Sequence, residues 1–104
     1  MVNHVLRHEN NIAIDRMMDK EWKVYLAQSL RTRRYYVGMS PDPIERLKRH
    51  NTGNGAKFAV DQGPLQLVYV SQPFKDKSSA RKREIQIKGW RAEKKKWLIE
   101  GKIK

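Results

Sequence analysis

From Trp22 onward the chain alternates in character. Trp22, Val24 and Leu26 share one parity and Lys23, Tyr25 and Ala27 the other, the two-residue period of a half-buried strand. The polar stretch Gln28–Arg34 leads to a second β-rich run, Tyr35–Met39, so the two read as a hairpin. A loop symmetric about residues 30 and 31 sets Tyr25 opposite Tyr36, with facing Cβ atoms ~4.5–5.5 Å apart and two phenols in one patch. Ser40-Pro-Asp-Pro-Ile-Glu45 then opens a helix: Asp42 suits the N-cap, Pro43 the first turn and Glu45 the third position of a capping box. That helix is expected to reach about Asn51, with Thr52-Gly-Asn-Gly55 as its stop and Ile44 and Leu47 toward the core. Arg46 and His50 lie four apart, on one stripe.

Leu65–Val70, introduced by Gly63–Pro64, is the third strand. Ser78 or Ser79 is the expected cap of a second helix running to about Trp90, where Ala80, Glu84 and Ile87 fall on one inward stripe. A last helix, about Ala92–Glu100, carries Trp97 and Leu98 and ends at Gly101. The predicted order is β-β-α-β-α-α. It describes a small α/β (α+β) domain over residues 22–100, a three-stranded antiparallel sheet flanked by helices. Residues 1–21 lack a capped periodic pattern and read as an N-terminal extension dispensable for folding.

Charge changes the picture more than composition does. The 104 residues carry 23 Lys+Arg and 11 Asp+Glu, a formal net charge of +12. The extension is slightly acidic, whereas residues 75–104 hold a dense basic cluster, so the positive field belongs to the domain. Self-repulsion of that kind calls for a polyanionic partner, with nucleic acid first among candidates. The chain has no cysteine, which excludes a disulfide scaffold, a zinc ribbon and thiol catalysis. No apolar run approaches ~18 residues and the polar start lacks a signal-peptide core, so a soluble, cytoplasmic, monomeric protein is expected.

Candidate chemistry is sparse. Neither GxxxxGK[ST] nor GxGxxG is present. His4 and His8 are four apart but have no third ligand nearby, and read as incidental. Tyr25, Tyr36, Arg46, His50 and Glu84 remain. Each has a bland reading, as strand tyrosine, solvated helix face or ion-pair partner (Glu84 with Lys88, for example). Jointly, the hairpin register and both helix stripes bring them toward one side.

These residues carry a resemblance. Lys23-Val-Tyr25 and Tyr36-Val-Gly38, with ten residues between the tyrosines, are similar to the paired signatures of the GIY-YIG nuclease superfamily. The chain resembles in particular the small stand-alone branch related to the catalytic domain of the bacterial excision-repair nuclease. Arg46 in Pro43-Ile-Glu-Arg-Leu-Lys-Arg-His-Asn51, the segment Thr52-Gly-Asn-Gly-Ala-Lys-Phe58, and Glu84 in Ala80-Arg-Lys-Arg-Glu84 extend the likeness over about residues 22–99. Two departures stand out: Lys23 replaces the first glycine of GIY, and Met39 stands where the excision-nuclease branch has lysine.

The resemblance implies hydrolysis of a DNA phosphodiester, possible roles being DNA repair or recombination on branched or damaged duplex. It implies one Mg²⁺ or Mn²⁺ on Glu84, Arg46 on the phosphoryl oxygens, and Tyr25 activating water with Tyr36 orienting it. His50 is the alternative base. Magnesium keeps most of its waters and takes only one or two carboxylates, which a lone Glu84 satisfies. A free phenol titrates near ~10, so this scheme needs Arg46 and the metal to lower Tyr25. Lys57, Arg49, Arg83 and Lys88 are the candidate nucleic-acid contacts. The competing readings are a non-catalytic basic nucleic-acid-binding module that keeps the fold, and a protein-interaction or ribosome-associated basic domain.

Overall fold

The computed structural model describes residues 21–54 and 63–104. Lys57, and the N-terminal extension except Glu21, lie outside them. Strands β1 (Lys23–Ser29), β2 (Tyr35–Ser40) and β3 (Leu65–Val70) and helices α1 (Pro43–Arg49), α2 (Lys77–Lys88) and α3 (Ala92–Ile99) follow one another in the expected β-β-α-β-α-α order. A π-helical turn, His50–Asn54, follows α1 directly. The helix therefore changes winding at His50 rather than running on to Asn51. All strand pairs are antiparallel and the spatial order is β2-β1-β3, which puts β1 in the middle and leaves β2 as an edge.

The alternation in β1 sorts the core into two layers. Val24 and Leu26, both fully buried, pack with Ala80 and Ile87 of α2 and Leu98 of α3. Tyr25 and Ala27, of the opposite parity, pack with Leu47 of α1 and with Tyr36, Leu65 and Leu67. Helices thus cover both faces of the sheet. Each buried aliphatic contributes about 1.5–3 kcal/mol, so the central strand is held from both sides. Between Leu26 and Ala27 the β3 partner jumps from Tyr69 to Leu67, a bulge that leaves Val68 unpaired.

The hairpin differs from the symmetric expectation. Ser29 Oγ accepts hydrogen bonds from the Arg31 and Thr32 amides at 3.1 and 2.9 Å, and Arg33 adopts φ 67°. The loop therefore turns between residues 31 and 32, and Tyr25 faces Gly38 while Tyr36 faces Ala27. The partner has moved by two residues along β2. Because side chains alternate with period two, an even shift keeps both tyrosines on one face.

Helix termini depart from expectation in three places. Asp42 Oδ1 accepts from the Glu45 amide at 3.2 Å, but the Asp42 amide donates to Ser40 Oγ and the Glu45 carboxylate lies 4.0 Å from Arg49, so only half of the capping box forms. Pro43 and Leu47 are the inward residues of α1. Ile44, expected in the core, is 71 % exposed, since one residue further along a helix is ~100° further round it. The α2 cap is Asp76, whose carboxylate accepts from the Ser79 amide at 2.7 Å, rather than either serine. The end of α3 is as expected. Gly101, at φ 77°, bonds Leu98 O and Lys102 bonds Trp97 O, a Schellman closure.

Candidate active site

Gly38 is the pivot of the site. A Cβ built there would lie 2.5 Å from Tyr25 Oη and 2.6 Å from Cζ, so the tyrosine ring lies directly across the glycine backbone. The ring crosses from the central strand to the open edge of β2. There the Tyr25 hydroxyl feels the charges of the Arg46 guanidinium and of Glu84.

These three residues come from different layers. Tyr25 and Arg46 belong to the α1 face, whereas Glu84 shares α2 with Ala80 and Ile87, which pack on the opposite face. The sequence stripe brings them toward one side of the domain, but they meet around an edge, not on a common sheet surface. A cleft of about 390 Å³ holds Tyr25, Gly38, Arg46 and Glu84, together with Lys77 and Arg81. A second, of about 450 Å³, shares Tyr25 and Arg46 and adds Tyr36, His50, Lys88 and Lys95.

Local structure fixes the members. The Asn51 side-chain amide pairs with both backbone groups of Leu65, donating to its carbonyl and accepting from its amide at 2.9 Å each. That pins the π turn to β3 and sets the preceding residue, His50, in the cleft beside Tyr36. Glu84 is 8 % exposed, and its carboxylate lies 3.9 Å from Lys88 Nζ, one helical turn on.

Burial raises the Tyr25 phenol above its ordinary value. The nearby Arg46 guanidinium opposes this, and Glu84 adds to it. The expected lowering by Arg46 is present but outweighed, because loss of water disfavours the phenolate more than one guanidinium favours it. Tyr25 is therefore a protonated phenol at neutral pH.

A divalent ion would meet a spare donor set. Among the described residues no three His, Cys, Asp or Glu side chains cluster. Glu84 is the one carboxylate lining its cleft. A single hard oxygen donor in an open cleft fits magnesium or manganese, which retain much of their hydration, and does not fit zinc, which takes four tight ligands.

The candidate phosphate contacts divide. Lys88 lines the larger cleft. Arg49 pairs with Glu45, and Arg83 stacks over the Trp90 ring at 5.1 Å and bonds Gln86, so neither lines the clefts. Lys77, Arg81 and Lys95 do line them and were not singled out by sequence. A signal existed for the α2 residues: Lys77, Arg81, Glu84 and Lys88 recur at spacings of four, three and four, one stripe of the helix.

The sequence model of the GIY-YIG catalytic domain matches residues 21–96, spanning all three strands and most of the helical part. The chain belongs to the GIY-YIG family. It is 44 % identical over 64 residues to a UPF0213 protein of Staphylococcus saprophyticus, covering 62 % of this chain and 77 % of that one. It is 40 % identical over 65 residues to a UPF0213 protein of Haloquadratum walsbyi (62 % and 72 %), and 41 % identical over 64 residues to one of Staphylococcus aureus (62 % and 77 %). The three-stranded antiparallel sheet with its helices is the fold of this GIY-YIG domain, and the family is one of nuclease-type enzymes.

Proposed function

We propose that this GIY-YIG protein is a divalent-metal-dependent endonuclease that hydrolyses DNA phosphodiester bonds, with branched or damaged duplex as its substrate. The observation that carries the reading is the meeting of Tyr25, Arg46 and Glu84 by Gly38, in a cleft that Lys77 and Arg81 also line. A pure binder has no use for a buried carboxylate facing phosphate.

Arg46 would hold the phosphoryl oxygens through its planar fork and stabilise the extra charge of the five-coordinate transition state. Burial keeps the Tyr25 phenol protonated, so its O–H can donate to phosphate or water. Tyr25 is thereby a positioning donor in the resting state. Tyr36 and His50 line the neighbouring cleft, where His50 can take the proton of the attacking water. Lys77, Arg81 and Lys88 supply positive potential around the same point. A magnesium or manganese ion on Glu84, completed by water and phosphate oxygens, would neutralise phosphate charge and make bound water more acidic.

The test is cleavage of flapped, branched, nicked and plain duplex DNA with Mg²⁺ or Mn²⁺, alongside Glu84→Gln. The variant is expected to lose metal-dependent cleavage while keeping or slightly gaining DNA affinity, since a negative charge near phosphate is removed. The Glu84–Lys88 contact supports a second reading, an ion pair in a non-catalytic module. On that reading wild-type protein cleaves none of these substrates, and Glu84→Gln costs only about 0.5 kcal/mol of stability.

A further inference from the structure

Beyond the two clefts a third groove, of about 340 Å³, lies between the β1–β2 loop and the start of α3. Arg33, Arg34 and Tyr35 line it from the hairpin, and Lys95 from the helix. Tyr35 and Lys95 also line the larger catalytic cleft, so the groove continues that cleft along the edge of β2. We propose that this groove is the seat of the substrate arm on one side of the scissile phosphate, gripped through its phosphates by Arg33, Arg34 and Lys95 and flanked by the ring of Tyr35. The proposal rests on the nuclease reading of the clefts, and adds to it where the nucleic acid leaves the site.

Charge is the first support. No carboxylate lines the groove, and among the described residues none of Arg33, Arg34 and Lys95 has an acidic partner within 4.0 Å. Among the described residues these cations are therefore left without an ion pair where the groove continues the larger cleft. Rigidity is the second. The loop is braced by the two hydrogen bonds to Ser29 Oγ, by Gln28 Nε2 donating to Arg33 O at 3.0 Å, and by the Arg34 amide donating to Thr32 Oγ1 at 3.3 Å. A braced loop presents its arginines at fixed positions, which lowers the ordering cost of a phosphate contact.

Length is the third. From Met39 in the Glu84 cleft to Tyr35 in the groove β2 runs four residues, about 13 Å at ~3.3 Å each. That matches about four nucleotide steps at a duplex rise of ~3.4 Å. The exposed backbone of an edge strand is also protected from pairing with other sheets when a polyanion and its cations occupy the rim.

Because the chain has no cysteine, Arg34→Cys can carry a single thiol-attached photocrosslinker, with Lys102→Cys as the remote comparison. The probe is a fluorescein-labelled flapped duplex in calcium buffer. Crosslinking from position 34 and not from position 102 is expected. In parallel, Arg33→Gln/Arg34→Gln should reduce the log–log salt slope of binding by about 1.4–1.8, two phosphate contacts at ~0.7–0.9 each. Unchanged slope, or equal crosslinking at both positions, overturns the groove. Failure of the nuclease reading looks different: wild-type protein then cleaves nothing, yet crosslinks from position 34 still show an arm in the groove. Wild-type protein that binds no DNA overturns both.

Discussion

Gly38→Ala puts the smallest possible side chain where the Tyr25 ring now lies. The new Cβ would stand 2.5 Å from the hydroxyl, 2.6 Å from Cζ and 2.9 Å from Cε2. Comfortable carbon contacts are ~3.5–4.0 Å, so the ring must retreat by roughly 1 Å. Gly38 has no positive φ to lose, so the clash acts through Tyr25 alone. Overpacking of this kind costs about 1–3 kcal/mol. The lower entropy of an alanine in the unfolded chain returns about 0.5–1 kcal/mol, for a net loss of about 0–2.5 kcal/mol. Activity should fall further than stability, since a displacement of ~1 Å at a reacting group can cost about 100-fold. The assay is a double-mutant cycle of Gly38→Ala and Tyr25→Ala, read by urea unfolding and by cleavage. In the Tyr25→Ala background the glycine substitution should be neutral or stabilising by about 0.5 kcal/mol, a coupling energy of at least ~1 kcal/mol. Equal destabilisation in both backgrounds would refute the ring-over-glycine account.

Alkaline stability follows from Tyr25. Its folded value lies above the unfolded one, so the protonated phenol's contribution is intact below pH ~10 and is lost as pH rises through the folded value. Wild type should therefore lose stability more steeply above pH ~10 than Tyr25→Phe, as thermal melts across that range would show; parallel curves contradict it. Asn51→Ala removes both hydrogen bonds to Leu65 and should cost about 1–3 kcal/mol, with cleavage falling beyond the stability loss because His50 shifts. Unfolding and single-turnover measurements on one preparation test this, and cleavage lost only in proportion to stability counts against it. Binding of duplex DNA should weaken linearly in log–log with salt, by about 0.9 per phosphate neutralised, and a flat response would make the +12 charge merely solubilising.

Much of the architecture was legible because local signals agreed with it. Strand β3 begins at Leu65 after Gly63–Pro64, and Pro43 and Gly101 bound α1 and α3 as their chemistry requires. The hairpin register was not legible. It depends on Ser29 Oγ capturing two loop amides and on Arg33 entering the left-handed region, a preference that arginine does not advertise. The α2 cap was misplaced because the helix starts earlier than its serines suggest: Asp76 takes the Ser79 amide, which puts Ser78 and Ser79 inside the first turn. Tyr25, Arg46 and Glu84 were named correctly as neighbours, yet their meeting around an edge required knowing that a bare glycine lets one ring pass. The direction of the Tyr25 shift was also out of reach, since it hangs on how much water the folded chain removes.

The split of the site between two sheet faces has a consequence in time. Tyr25, Gly38 and Arg46 are all synthesised within the first half of the chain, while Glu84 arrives late, on a helix that docks through Ala80 and Ile87. The cleft is therefore complete only once α2 has packed on Val24 and Leu26. On the nuclease reading proposed above, a chain that has built only its hairpin and α1 would still lack the carboxylate.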